Sequence, residues 1–240
     1  MPPSHSFGVP KMVTELLVPR PGLIVPRPPS YVKLDMAFGV GAGTKLFDKS
    51  RYRSHGAITG ASWATGLHGK CLDFDPTIPS YVEIPASHNQ LNFTSEDFSI
   101  IARLSLDVLA DACVVCRGLF SSQGWLLRTR LAGYIDFATC QSGATQFSAS
   151  STGGVAIPGF PYTIGISRSG AAVTIYVNGV ADTASAGTHN NPTTCTRAAK
   201  IGTYDQTVEY RFDGKIEFFR IFGGIALSAS EHLAWHNALA

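Results

Sequence analysis

From Ser30 onward, apolar and polar positions alternate in short runs broken by turn-forming residues, the pattern of β-strands. Alternating or compact β-rich runs predict strands at Tyr31–Phe38, Tyr81–Ile84, Phe98–Leu106, Gly124–Arg130, Tyr134–Ala138, Tyr162–Arg168, Val173–Val177 and Lys215–Phe222. Within the last of these, Phe218, Phe219, Ile221 and Phe222 read as a central strand covered on both faces. Asn178-Gly179 is a two-residue hairpin signal, and Asp213-Gly214 and Gly153-Gly154 mark further turns. One helix is predicted, at the C-terminal end. Ser228 suits its N-cap, and Glu231 three residues later completes a capping box ahead of Leu233-Ala234-Trp235. Many strands, one terminal helix and no alternation of strand with helix predict an all-β sandwich or jelly roll.

The first thirty residues break this pattern. They hold eight prolines (Pro2, Pro3, Pro10, Pro19, Pro21, Pro26, Pro28 and Pro29), which exclude a helix and favour extended chain. A short repeat runs through them, Leu16-Leu17-Val18-Pro19-Arg20-Pro21 and then Leu23-Ile24-Val25-Pro26-Arg27-Pro28. Its apolar stretches are too short for a secretory signal, so synthesis in the cytoplasm is expected. A disordered leader is one reading. The apolar triplets, which favour burial, support the other: a Pro-rich arm lying along its own domain or a neighbouring subunit. Leu16, Leu17, Val18, Leu23, Ile24 and Val25 would then be its docking residues. The expected organisation is an arm over 1–30 and a single domain over 31–240.

Composition narrows the function. With 45% hydrophobic residues the chain can build a core, and its 240 residues suit one large β domain. A net charge of +2 is too small for an electrostatic nucleic-acid binder, and no stretch approaches a membrane span. Five cysteines (Cys71, Cys113, Cys116, Cys140, Cys195) form no regular framework and are expected reduced and buried. Cys113 and Cys116 sit three apart, so on a straight strand they would face opposite ways and could not share a metal. His232 and His236, four apart, are read as part of an amphipathic surface helix. Trp63, Phe74 and Trp125 are assigned to packing, and Gly41, Gly43, Gly56, Gly60 and Gly69 to sharp connections needing positive φ. Asn92-Phe93-Thr94 fits a glycosylation acceptor, of consequence only in a secreted eukaryotic chain.

Several segments together resemble a known family. They are Gly41-Ala42-Gly43-Thr44, Asp48-Lys49-Ser50, His55-Gly56, Trp63, Gly69-Lys70-Cys71-Leu72-Asp73-Phe74-Asp75 and Tyr81-Val82-Glu83-Ile84-Pro85. Later come Val173–Val180 (VTIYVNGV), Lys200–Asp205 (KIGTYD) and Phe212–His236. In this order, over roughly 31–238, the chain resembles a laminin-G-like domain of the concanavalin A-like lectin/glucanase superfamily. The resemblance implies a jelly-roll β-sandwich of two curved antiparallel sheets. Glycosidases of this fold carry alternating carboxylates on one strand; here Asp73 and Asp75 alternate but lack the further partner. No enzyme activity, catalytic residue or cofactor is therefore expected. Relatives often hold calcium, which leaves room for one structural ion near the turn-side Asp48, Asp73, Asp75, Asp205 and Asp213, with no ligand set assigned. The expected function is a structural or assembly protein, a virion decoration, cement or minor capsid component fastened by its arm as a homo-oligomer or part of a shell. The alternative is a carbohydrate-binding or adhesion module.

Overall fold

The computed structural model describes residues 30–151, 153–205 and 210–240. The expected arm, with Leu16, Leu17, Val18, Leu23, Ile24 and Val25, lies outside them.

The strands β1 (Val32–Asp35), β2 (Lys45–Leu46), β3 (Gly56–Thr59), β4 (Ser62–Thr65), β5 (Lys70–Phe74) and β6 (Tyr81–Ile84) come first. Next are β7 (Phe98–Leu106), β8 (Ala112–Leu119), β9 (Gln123–Thr129), β10 (Ile135–Gln141) and β11 (Ala144–Ser150). Then follow β12 (Pro161–Ser169), β13 (Ala172–Val177), β14 (Val180–Ala181), β15 (Thr183–Ser185), β16 (Ala199–Ile201), β17 (Gly214–Gly223) and one helix, α1 (Ala229–Leu239). They form two antiparallel sheets. The first runs β14-β13-β12-β7-β17-β5-β4, with β1 also paired to β17. The second runs β15-β11-β10-β9-β8-β16-β6-β3-β2. Among the described residues, no helix is long and apolar enough to cross a membrane.

The facing sheets close over one large core. Phe74, Phe93, Phe98, Trp125, Phe137, Phe212 and Phe219 are all nearly fully buried in it. Phe93 stacks on Phe98 at 4.4 Å between ring centroids, and both rings lie close to Trp125. Trp125 and Phe74 are core as expected, whereas Trp63 is only partly buried and its Nε1 donates to the Gly43 carbonyl at 2.7 Å. The outer face of the first sheet is covered by α1, where Phe218 and Phe222 of β17 meet Trp235. Strand β17 is thus covered on both sides, as its apolar run predicts.

Two strands coincide with the prediction, Tyr81–Ile84 and Phe98–Leu106, and most others shift by one to three residues. The run predicted over Tyr31–Phe38 ends at Asp35, because Met36 bridges Asp48 and the chain then enters a 3₁₀ turn at Phe38–Val40. Strands β2 to β5, β8, β11 and β14 to β16 lie outside the predicted runs. Asn178 and Gly179 have φ of 51° and 79°, the geometry of a two-residue mirror-image turn, and join Val177 to its partner Val180. Gly56 corrects the glycine assignment. Its φ is not positive; it is needed for space, since a Cβ there would lie 2.3 Å from Val82 Cγ1.

Candidate ligand-binding site

The site begins with an irregularity in β8. Register runs Cys113↔Arg128 and then Val115↔Leu127 and Cys116↔Leu126 on β9, so Val114 is an extra residue in a bulge. Val114 and Val115 both enter the core, and Cys113 and Cys116 both emerge on the outer face with Cys140, Leu126 and Ala138. The expectation that these cysteines face opposite ways is therefore wrong: the bulge cancels one step of the alternation. Even so, no group of three His, Cys, Asp or Glu comes together to hold a metal ion among the described residues. All five cysteines are free and buried. Burial pushes the Cys71, Cys113, Cys140 and Cys195 thiols up, so they stay protonated at neutral pH. Cys113, with Cys116 and Cys140 beside it, forms an apolar floor on this face.

Above this floor lies a cavity of about 310 Å³ lined by Cys113, Phe120, Arg128, Tyr204 and Tyr210. Tyr204 and Tyr210 stand at right angles, with ring centroids 6.1 Å apart. The Tyr204 hydroxyl accepts from the Phe120 N–H at 2.8 Å, and the Tyr210 carbonyl accepts from the Cys113 N–H at 2.8 Å, so both walls are tied to β8 and its turn. Tyr210 is held at φ 57°, a conformation rare for a non-glycine residue. Arg128 donates to Asp136 Oδ2 at 2.5 Å and lies 5.3 Å from the centre of the Phe120 ring. Burial raises the Asp136 carboxyl while Arg128 and then Arg130 pull it down. Beside the cavity, Lys200 bridges Asp205 at 3.1 Å and Glu83 at 3.5 Å, and Arg197 also pairs with Asp205. Apolar aromatic walls and one fixed guanidinium suit the capture of a ring-shaped polar molecule.

The residues considered for other chemistry are placed elsewhere. Asp48 is fully buried, its carboxylate accepting from the Asp35, Ser50 and Ser54 N–H groups and the Ser50 hydroxyl at 2.7–2.9 Å. Asp73 pairs with Lys215 at 3.4 Å. Asp75 caps its own turn, where the Thr77 hydroxyl and N–H hold its carboxyl below the ordinary value. His232 corrects the reading of α1 as a surface helix carrying both histidines. It is buried against the sheet, its Nε2 2.8 Å from Ser167 Oγ and its ring stacked on Tyr176, and burial pushes its pKa down to about 3. His236 meets Thr163 instead. Asn92 Oδ1 accepts from Arg117 Nε at 2.9 Å, and Phe93 is buried. Sequence reasoning missed Phe120, Arg128, Tyr204 and Tyr210 as site residues. Tyr204 lay within the Lys200–Asp205 segment, which was read for fold alone.

Two antiparallel sheets closed over a single core, with the ligand-sized cavity on an outer sheet face, define a lectin-type jelly roll. The chain belongs to the concanavalin A-like lectin/glucanases superfamily, whose laminin-G model matches residues 78–231. No curated protein sequence matches the chain. Among solved structures it is similar to the binding domain of Paraclostridial Mosquitocidal Protein 1, with a TM-score of 0.68 and 15% identity over 88% of this chain and 52% of that one. It is similar to the binding domain of botulinum neurotoxin DC, solved in complex with rat synaptotagmin II, with a TM-score of 0.66, 15% identity and the same coverages. The chain thus spans about half the length of those two domains. A third similar structure is domain 4 of an extracellular arabinanase from Geobacillus stearothermophilus, solved with arabinotriose. Its TM-score is 0.59, with 20% identity over 85% of this chain and 97% of that one. At these identities the likeness shows the fold. The comparisons lend no support to the expected virion role.

Proposed function

We propose that the protein is a carbohydrate-binding module, with its ligand in the cleft between Phe120, Tyr204 and Tyr210. The observation that carries this reading is the aromatic pair Tyr204–Tyr210 set at 89° over Cys113, beside a guanidinium already oriented by Asp136. A pyranose or furanose has an apolar C–H face and a hydroxyl edge. The tyrosine rings suit the face, and Arg128 donates to the edge. The arabinanase domain solved with arabinotriose supports this reading. The neurotoxin domain solved with synaptotagmin II makes a protein ligand the competing outcome.

The test is a glycan array probed with the full chain, followed by calorimetry on any hit. Tyr204→Ala and Tyr210→Ala should each weaken binding by about threefold to tenfold, the value of one aromatic contact. A folded chain that binds no glycan, or one whose affinity both substitutions leave unchanged, refutes the proposal.

A further inference from the structure

A second bulge, in β17, builds a second pocket on the other sheet. Ile216 pairs with Leu104 and Phe218 with Arg103 on β7, leaving Glu217 as the extra residue. Ile216 and Phe219 fill the core, so Glu217 and Phe218 both turn outward beside Arg103. The resulting cavity, about 200 Å³, is lined by His68, Lys70, Arg103, Glu217, Phe218 and the last residues of the chain.

Its floor is charged and incompletely satisfied. The side chains of Arg103 and Glu217 are 6% and 8% exposed, and they meet loosely, Nε to Oε2 at 3.4 Å. Neither of those two atoms has a hydrogen-bond partner. Among the described residues, no hydrogen bond engages the two terminal nitrogens of Arg103 either, so the fork of the guanidinium is left for something else. Glu217 cannot swing over to close the pair. Its Oε1 accepts from the Leu67 N–H at 2.7 Å, and the carboxylate fills the space where a Cβ on Gly66 would lie. That same β4–β5 turn delivers His68 and Lys70 to the rim, with Lys70 Nζ 3.2 Å from Thr65 Oγ1. A buried polar pair with unmade bonds costs stability, a burden that a bound ligand would offset.

We infer that this pocket binds the carboxylate-bearing ring of an acidic saccharide. The carboxylate would sit on the Arg103 fork and Lys70, where charge-assisted bidentate bonds form. A neighbouring hydroxyl would donate to the open Oε2 of Glu217, and the ring face would lie on Phe218. Any oxyanion on the guanidinium meets repulsion from Glu217, and a ring that carries a carboxylate and a neighbouring hydroxyl offsets it by donating to Oε2 while its face covers Phe218. The volume is below the ~300–1,000 Å³ of sites for drug-sized ligands, so it takes one ring and not a chain. This site is separate from the aromatic cleft, which lies on the other sheet.

The experiment titrates the full chain with methyl glucuronide, methyl glucoside and inorganic phosphate, followed by amide chemical shifts and calorimetry. Glucuronide should bind and perturb the Leu67–Lys70 turn, and glucoside should not. The charge-neutral double variant Arg103→Gln/Glu217→Gln should lose about tenfold or more in affinity. Lys70→Ala, which alters only the exposed rim, should lose severalfold and keeps the test decisive should the double variant misfold. Glucuronide-induced shifts that centre on the Leu67–Lys70 turn and spare Phe120, Tyr204 and Tyr210 separate this pocket from the cleft. Phosphate bound as tightly as glucuronide would overturn the saccharide assignment. Absence of glucuronide binding, or binding that survives Lys70→Ala and the double variant alike, would overturn the site.

Discussion

Arg117 lies fully buried on β8, and its charge is accommodated by geometry. Its Nε donates to Asn92 Oδ1 at 2.9 Å, and its terminal nitrogens donate to the His88 and Ala86 carbonyls at 2.8 and 2.9 Å. The guanidinium thereby pins the 85–92 connection, including the 3₁₀ turn at Asn89–Leu91, onto the second sheet. Arg168 does the same for the 94–97 segment through the Thr94 and Glu96 carbonyls and Asn191. Removing such a residue leaves several buried acceptors without donors. Arg117→Ala should therefore lower stability by about 3–5 kcal/mol in urea unfolding, whereas a substitution of exposed Lys45 should shift it by under ~0.5 kcal/mol. The thiols give a second prediction at this scale. Because burial both shields the five cysteines and raises the pKa of four, the native chain should react with Ellman's reagent far more slowly than the urea-unfolded chain, which should titrate five thiols. Rapid native labelling of even one would show that the thiol concerned is open to solvent, and Cys113, which lines the cleft, is the one to identify by peptide mapping.

Elements differ in how far their own residues announce them. The helix α1 carries its start signal locally: Ser228 accepts from the Glu231 N–H, and the Glu231 carboxylate accepts from the Ser228 N–H at 2.9 Å. Ser228→Ala should cost about 1 kcal/mol and lower the melting temperature by a few degrees, while Ser228→Asp should restore most of it. The hairpin at Asn178-Gly179 was legible for the same reason, since its positive φ values belong to two adjacent residues. Strand β8 was not legible. In Cys113-Val114-Val115-Cys116 the alternation fails at the bulge, and only the pairing with β9 shows which residues share a face. The cleft follows from that pairing, so Phe120, Arg128 and the two tyrosines carried no joint signal. Glu217 was hidden likewise, because its outward turn depends on the register of β17 against β7. Residue types and turns report local conformation; sites built on bulges report tertiary register, which a single sequence does not print.

At the scale of the whole molecule, each sheet turns a bulge into a pocket on its outer face, and α1 packs on the first sheet around a buried histidine. His232 sits under α1 with Ser167 and stacked Tyr176, its pKa pushed down to about 3 chiefly by burial, with Glu231 opposing weakly. His189, buried in the β15–β16 connection, bonds Thr139 and Ser148 of the second sheet, and burial together with the Arg168 charge pushes it to about 4. Both folded values fall below the ordinary 6.5, so the folded state disfavours the protonated forms. Their contribution to stability is complete above about pH 6.5 and is lost as pH falls toward the folded values, since the unfolded chain takes up the protons first. Each histidine should add a slope on the order of 1 kcal/mol per pH unit across that window. Asp136 works against this near the acid end, because burial raises its carboxyl and the folded chain gains from protonating it. Urea unfolding from pH 7 to pH 4 should thus show stability falling steadily below pH 6.5. The double variant His189→Gln/His232→Gln should be less stable at pH 7 yet nearly flat through the same range. If wild type and variant lose stability in parallel, the acid sensitivity lies in other groups and the two buried histidines are not its source.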